Sequence, residues 1–288
     1  MAEQLLIGTD LDRTLIPNGP QSESLGAREH FAALAARPEV TLAYVSGRHR
    51  ALVEKAIIYY RLPVPDFVVG DVGTTIYHVG LQHDWVRQPA WEAEIAQDWG
   101  GQTHADLKTL LSDLSALRPQ ESAKQNVYKL SYYVPLLCDR DALSGDIQRC
   151  LSASGVKARL VWSVDEPEGI GLLDVLPARA SKYHAVEALM QQQGFDYLNT
   201  VFCGDSGNDI EVLASPIPAA LVANSPPEVQ ALARRLANEG GHSEQLYIAE
   251  GDFMGMNGNY SAGMLEGIAH FHPHTVAWMG FTTEEQHE

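Results

Sequence analysis

Near the N-terminus the chain reads Leu5-Leu6-Ile7-Gly8-Thr9-Asp10-Leu11-Asp12-Arg13-Thr14-Leu15, an apolar run that ends in two carboxylates two residues apart. Side chains alternate along a strand, so residues i and i+2 share one side. A strand here therefore predicts that Asp10 and Asp12 project together from its C-terminal end, where open α/β sheets place their chemistry. Two neighbouring carboxylates repel, so one binds a proton more tightly or a cation sits between them. Both outcomes suit phosphoryl transfer, in which one carboxylate attacks phosphorus and the other protonates the leaving oxygen. Alone, D-x-D-x-T is equally an acidic strand-end turn, and the rest of the chain has to decide.

Beyond Leu15 the chain alternates between helices and strands. A helix is predicted over 22–36, with Ser22 as cap and Leu25, Phe31, Ala32, Leu34 and Ala35 on one side. Val40 to Val45 reads as a buried strand ending in Ser46-Gly47-Arg48, 51–60 as a helix, and Phe67 to Gly70 as a third strand continued by Thr74-Thr75-Ile76-Tyr77. This order predicts a parallel sheet with helical crossovers. The character changes after about Gly80, where Trp85, Trp91 and Trp99 fall close together. Predicted helices over 90–99, 106–117 and 139–152, with strands over 127–134 and 157–164, describe a small α+β unit. The parallel pattern resumes with Leu172 to Leu176, a helix over 182–193, the strand Thr200 to Cys203, and a helix after Asn208. A short strand over 219–223, helices over 225–238 and 261–271, and a tail to Glu288 complete the chain. The expected fold is α/β: a doubly wound, Rossmann-like parallel-sheet core over 1–80 plus 167–288, carrying an inserted α+β domain over 81–166. A length of 288 residues accommodates two ordinary domains.

Composition narrows the function. The net charge of −17 disfavours nucleic acid, which needs a basic footprint, and an anionic substrate would need local cations or a bound metal. No apolar run reaches the roughly 20 residues that span a bilayer, and no basic n-region precedes the first strand, which predicts a soluble, cytoplasmic protein. Three cysteines without a C-x-x-C argue against a disulfide framework or a zinc knuckle. His270, His272 and His274 alternate, but they straddle Pro273 and read as surface tail. Gly255 to Gly263 resembles a phosphate loop without its lysine and reads as a flexible connection.

Three further sites match the opening carboxylates. At a strand end, the Ser46 hydroxyl and nearby amides suit a phosphoryl oxygen. Lys182, near a helix start, suits a phosphate and the nucleophile together. Gly204-Asp205-Ser206-Gly207-Asn208-Asp209 directly follows an apolar strand; Asp205 and Asp209 supply hard oxygen ligands and Asn208 orients them, which suits magnesium.

These four sites, in this order, resemble the motifs of the haloacid dehalogenase superfamily of phosphatases, in the subgroup that carries an α+β cap between the second and third motifs. A narrower resemblance, to bacterial sucrose-phosphate phosphatases, is carried by Lys129-Leu130-Ser131-Tyr132, by Cys203 to Ile210, and by Ala262-Gly263-Met264-Leu265-Glu266-Gly267-Ile268-Ala269-His270-Phe271. Thr75 departs from it, standing where those enzymes carry an acidic residue. That departure leaves mannosylfructose-phosphate or another glycosyl phosphate open beside sucrose-6-phosphate.

The resemblance implies a magnesium-dependent sugar-phosphate phosphatase. Asp10 would be the nucleophile and Asp12 the acid–base, with Ser46, the Gly47 amide and Lys182 holding the phosphoryl oxygens. Mg2+ would be bound by Asp10, Asp12 through its carbonyl, and Asp205, with Asp209 and Asn208 in support. Arg48 and Asn208 would contact the substrate, and Lys129 heads the candidates for the sugar, with Tyr128, Asn126 and Thr75 behind it. The tryptophans read as core of the smaller domain. A glycosyltransferase that makes the sugar phosphate is an expected partner. The rival readings are a phosphomutase on the same scaffold and a non-catalytic sugar-phosphate sensor.

Overall fold

A computed structural model describes residues 4–80, 82, 84–165 and 168–281. Its elements run β1 (Leu5–Thr9), α1 (Ala27–Ala35), β2 (Val40–Val45), α2 (Arg50–Tyr60), β3 (Phe67–Gly70), β4 (Thr75–Val79) and β5 (Trp85–Arg87). Next come α3 (Pro89–Ala96), α4 (His104–Leu110), β6 (Arg118–Pro119), β7 (Leu130–Val134), α5 (Arg140–Ser152), β8 (Ala158–Asp165) and β9 (Ile170–Pro177). The last stretch holds α6 (Lys182–Gln193), β10 (Thr200–Gly204), α7 (Ile210–Leu213), β11 (Ala219–Leu221), α8 (Pro227–Glu239), β12 (Leu246–Ile248) and α9 (Ser261–Phe271). The chain divides into two compact units, 1–87 with 182–288, and 88–181.

The larger unit is an α/β layer structure on a sheet ordered β12-β11-β10-β1-β2-β3-β4-β5. Every pairing from β12 to β3 is parallel, and β1 lies between β10 and β2 with all five residues buried. That burial on both faces is why the strands read as unbroken apolar runs. Beyond β3 the sheet turns antiparallel: β4 pairs with β3, Gly70 opposite Thr75, and β5 pairs with β4. Thr74 to Tyr77 therefore does not continue the third strand but returns beside it. The reversal is made by Asp71, Val72 and Gly73, whose φ values of 51°, 60° and 91° are all left-handed. Trp85 lies in this hairpin, in the larger unit.

Helix α1 starts at Ala27 and not at Ser22, because Ser22 and Ser24 bond to the 257–259 loop instead: the Asn257 amide donates to Ser24 Oγ at 2.9 Å, and its side chain to the Ser22 carbonyl at 3.0 Å. Leu25, expected on the apolar face, is fully exposed. The C-terminal helix α9 is buried from Ser261 to Ala269. Gly263 and Gly267, four residues apart on one face, permit this: a Cβ on Gly267 would stand 2.2 Å from Ala220 Cβ in β11, and one on Gly263 2.1 Å from the Gly258 carbonyl. Residues 273–278 form a 3-10 turn, and Thr275 and Met279 are buried, so the chain up to 281 packs on the core and is not a tail. The rest of the expected tail lies outside the described residues.

The smaller unit carries the antiparallel sheet β6-β7-β9-β8. Leu172 to Leu176 was expected to resume the parallel pattern; it belongs here, paired with β7 and β8, and carries this unit past residue 166 to Ser181. Helix α4 is short and N-capped by a Thr103–Asp106 capping box, ending well before Leu117. The strand expected from Val127 starts at Leu130, because the Asn126 side chain accepts from the Tyr128 amide and turns the chain there. Trp99 joins Leu107, Leu130, Tyr132, Ile147 and Leu173 in the core, and Trp91 is also buried, as core residues should be. Asp98 is buried, accepting from the Arg179 amide at 2.8 Å and from its guanidinium at 3.0 and 3.1 Å. Among the described residues no helix is long and apolar enough to cross a membrane.

Candidate active site

Strands β10, β1 and β2 lie side by side and parallel, so the segments after them share one edge of the sheet. The chain steps from β1 to β2 on one side and returns much later to β10 on the other, and such a switch point opens a crevice at the strand ends. Asp10 and Asp12 follow β1, Ser46-Gly47-Arg48 follows β2, and Asp205 to Asp209 follows β10. Lys182 is the first residue of α6.

Asp10, Lys182, Asp205 and Asp209 form one buried cluster, with the exposed Asn208 at its edge. Lys182 Nζ lies 2.9 Å from Asp10 Oδ1, 2.7 Å from Asp209 Oδ1 and 3.0 Å from Asn208 Oδ1. Asp10, Asp205 and Asp209 each bring an oxygen within 4.8 Å of the others, and all three are buried. One lysine does not balance three carboxylates. Burial, opposed by Lys182, pushes the Asp10 carboxyl up to about 7, and burial with Asp209 beside it pushes Asp205 up to about 6. Lys182 stays charged, its pKa raised above the usual lysine value because Asp10 and Asp209 outweigh burial. Lys182→Met would strand buried carboxylates without their cation and should cost about 3–5 kcal/mol. Thermal unfolding in chelator checks this as a lowered Tm.

The donor set fits a hard divalent cation. Asp205 Oδ2 is buried with no hydrogen-bond partner, while Oδ1 accepts from Thr14 Oγ1 at 3.3 Å. Asp209 is more committed: Oδ1 faces Lys182, and Oδ2 accepts from the Asp205 and Ser206 amides, both at 3.2 Å. Gly204 makes room for it, since a Cβ there would stand 2.7 Å from the Asp209 carboxyl carbon. Asp10 and Asp205 thus offer the freer oxygens, and Asp209 braces the loop.

Asp12 does not point with Asp10. Strand β1 ends at Thr9, and the Asp12 carboxylate turns to Arg48, which donates from Nε at 2.7 Å and Nη2 at 2.5 Å. Asn18 donates to it at 2.7 Å. Burial raises the Asp12 pKa, but these donors outweigh it and hold it below the usual carboxylate value. The Asp12 carboxylate is absent from the metal-like trio. Ser46 is buried, and its hydroxyl accepts from the Arg48 amide at 3.2 Å. The left-handed Asp71–Gly73 turn backs this loop, with the Asp71 amide bonded to the Arg48 carbonyl at 3.0 Å.

The remaining candidates have their own surroundings. Thr75 is buried at the start of β4, paired opposite Gly70. In the smaller unit, Lys129 Nζ lies 3.6 Å from Asp174 Oδ2, and Ser131 donates to the same carboxylate. Tyr128 packs edge-on against Trp99 and serves the core. His270 stacks on Tyr247, and among the described residues the only metal-like group is the aspartate trio. Sequence reasoning gave no role to Arg13, Thr14, Asn18 or Asn224. The Thr of D-x-D-x-T was the available signal for Thr14; nothing marked the other three.

Residues 3–272 match the sequence model of a family described as sucrose-6F-phosphate phosphohydrolase. The chain belongs to that family. Its members' chemistry makes it a sugar-phosphate phosphatase of the haloacid dehalogenase superfamily. An HAD-like hydrolase of Nitrosococcus oceani is 54% identical over 289 residues, which take in 100% of this chain and 77% of that one. Sucrose-phosphatase 1 of Nicotiana tabacum is 27% identical over 276 residues, and this chain spans only 60% of its length. The solved structure of the sucrose-phosphatase from Synechocystis sp. PCC6803, in complex with sucrose and phosphate, superposes with a TM-score of 0.72. It is 27% identical and covers 94% of this chain and 98% of its own.

Proposed function

We propose that this chain hydrolyses the phosphate monoester of a disaccharide, with sucrose-6-phosphate as the first candidate, through an aspartyl-phosphate on Asp10. The observation that carries the reading is the buried Asp10 carboxylate, 2.9 Å from Lys182 and grouped with Asp205 and Asp209 at the ends of adjacent parallel strands. The family and the sucrose and phosphate held by the Synechocystis enzyme support the substrate class.

In the first step an Asp10 oxygen bonds to phosphorus, the bond from phosphorus to the sugar oxygen breaks, and that oxygen takes a proton from Asp12. Water then attacks phosphorus and gives a proton back to Asp12, and phosphate leaves Asp10. Paired with Arg48, Asp12 is held ionised, so before it can donate it must release Arg48 to the substrate phosphate and take up a proton from solvent. Asp10 and Asp205, braced by Asp209, would hold a magnesium ion, which supplies positive charge to the phosphoryl oxygens when bound. Lys182, Ser46, the Gly47 amide and Asn208 hold those oxygens as charge develops. Recognition of the sugar is assigned to the 88–181 unit, beginning with Lys129 and Asp174. A glycosyltransferase is the reaction class that would supply such a substrate.

Phosphate release from sucrose-6-phosphate, mannosylfructose-phosphate, glucose-6-phosphate and fructose-6-phosphate tests the reading. Release is expected with Mg2+, strongest from a disaccharide phosphate, and is expected to vanish in chelator and return with added Mg2+. Release from hexose phosphates alone would discard the disaccharide assignment. Transfer to a second sugar without free phosphate would replace hydrolysis with mutase chemistry.

A further inference from the structure

Arg13 stands beside the carboxylate cluster in an unusual way. Its φ of 60° is left-handed, a conformation that suits glycine or asparagine better than arginine. The peptide is fixed there from three sides. Its N–H donates to Asn18 Oδ1 at 2.8 Å and to the Ile16 carbonyl at 3.0 Å, and its carbonyl accepts from Asn224 Nδ2 at 2.7 Å. Asn224 is itself fixed, accepting from the Tyr260 amide at 2.7 Å. Such a backbone aims the side chain before any ligand is present.

The side chain ends in an unmet contact. Arg13 Nε is buried with no hydrogen-bond partner and lies 3.9 Å from Asp205 Oδ2, which is also buried and without one. That distance is too long for a hydrogen bond and short enough for a charge attraction, which solvent screens because the Arg13 side chain is 42% exposed. Gly19 closes over the stem, since a Cβ there would come within 3.4 Å of Nε. An arginine serving only to pin the loop would be expected to spend Nε on a hydrogen bond. This one faces an orphaned carboxylate oxygen of the trio.

We propose that Arg13 is a positioning residue for the metal site, a fixed positive charge that steadies the Asp205 carboxylate before metal arrives and loosens the site's hold on a divalent cation. The inference rests on the metal reading of the aspartate trio. Two effects of the guanidinium oppose each other. It preorganises Asp205, which favours metal binding, and it repels a cation approaching the same oxygen, which disfavours it. Preorganisation is shared with Thr14, which already holds Oδ1, and with Lys182, whose charge also acts on Asp205; Arg13 makes no hydrogen bond to Oδ2 and contributes mainly its charge, so repulsion dominates.

Calorimetric titration of Mg2+ alone into the metal-free full chain tests this, comparing wild type, Arg13→Gln and Arg13→Lys. Arg13→Gln is expected to bind Mg2+ on the order of tenfold more tightly, the scale of one unit charge acting on a divalent ion at short range in a water-like dielectric. Arg13→Lys, which keeps the charge, should stay near wild type. The same Arg13→Gln chain should melt lower than wild type in chelator and gain more from Mg2+. If Arg13→Gln fails to fold by circular dichroism, Arg13→Asn, suited to the left-handed backbone, takes its place with the same expectation. Unchanged or weaker Mg2+ binding by the neutral variant, with wild type binding normally, overturns the role of Arg13 and leaves the metal reading standing. No Mg2+ binding by wild type overturns both.

Discussion

Asp10→Asn should abolish phosphate release, by about four orders of magnitude or more, and leave a folded chain. The amide keeps the shape of the carboxyl but cannot form the aspartyl-phosphate, and no neighbouring group can substitute. Asp209 has both oxygens engaged, Asp205 is assigned to the metal, and Asp12 is turned to Arg48. The fold should survive because the substitution removes one of three carboxylates crowded around a single lysine, and Lys182 keeps Asp209 at 2.7 Å. Burial already disfavours charge on Asp10, so a neutral isostere is well tolerated there. Turnover with each sugar phosphate, alongside thermal unfolding, checks both halves. Release within tenfold of wild type would remove Asp10 as nucleophile.

Gly263→Ala should destabilise the fold by about 3 kcal/mol, a large loss for a single methyl group. The added Cβ would stand 2.1 Å from the Gly258 carbonyl oxygen and 3.1 Å from Val222 Cα, and neither is a side chain that can rotate away. Helix α9 would have to lift from β11. Met264 accepts a hydrogen bond from Thr9 at the end of β1, and Glu266 accepts from the Glu250 and Gly251 amides, so the displacement would spread. Chemical denaturation should show a lowered midpoint with an unchanged slope. A midpoint equal to wild type would mean that the helix has slack that its contacts do not show.

The same helix marks a limit of sequence reading. Ala262 to Phe271 carried a family resemblance without any catalytic logic, and the structure supplies a packing reason: two glycines for close approach and one glutamate to hold a loop. The parallel core was legible because strands buried on both faces leave continuous apolar runs. The hairpin of β3 and β4 was not, because Asp71 and Val72 take left-handed conformations that their residue types do not announce. Leu172 to Leu176 misled for a related reason. A short apolar run does not say which sheet it joins, and only its pairing with β7 and β8 placed Asp174 beside Lys129 and Ser131. In the candidate site, the residue types and their order were readable. The orientation of Asp12 was not, since the strand ends at Thr9 and alternation stops with it.

The position of β1 also bears on how the chain is made. Leu6 pairs with Thr41 on one side and with Thr200 on the other. At about 5–20 residues per second, a ribosome reaches the second partner roughly 10–40 s after the first strand is made. During that interval an apolar strand has one satisfied edge and one open edge, the kind of surface that recruits chaperones or pairs with another nascent chain. Residues 88–181 hold their own core and can fold within the same window. The catalytic edge therefore closes late, when β10 docks and brings Asp205 and Asp209 to Asp10, and only β11 and β12 remain to be added outside it.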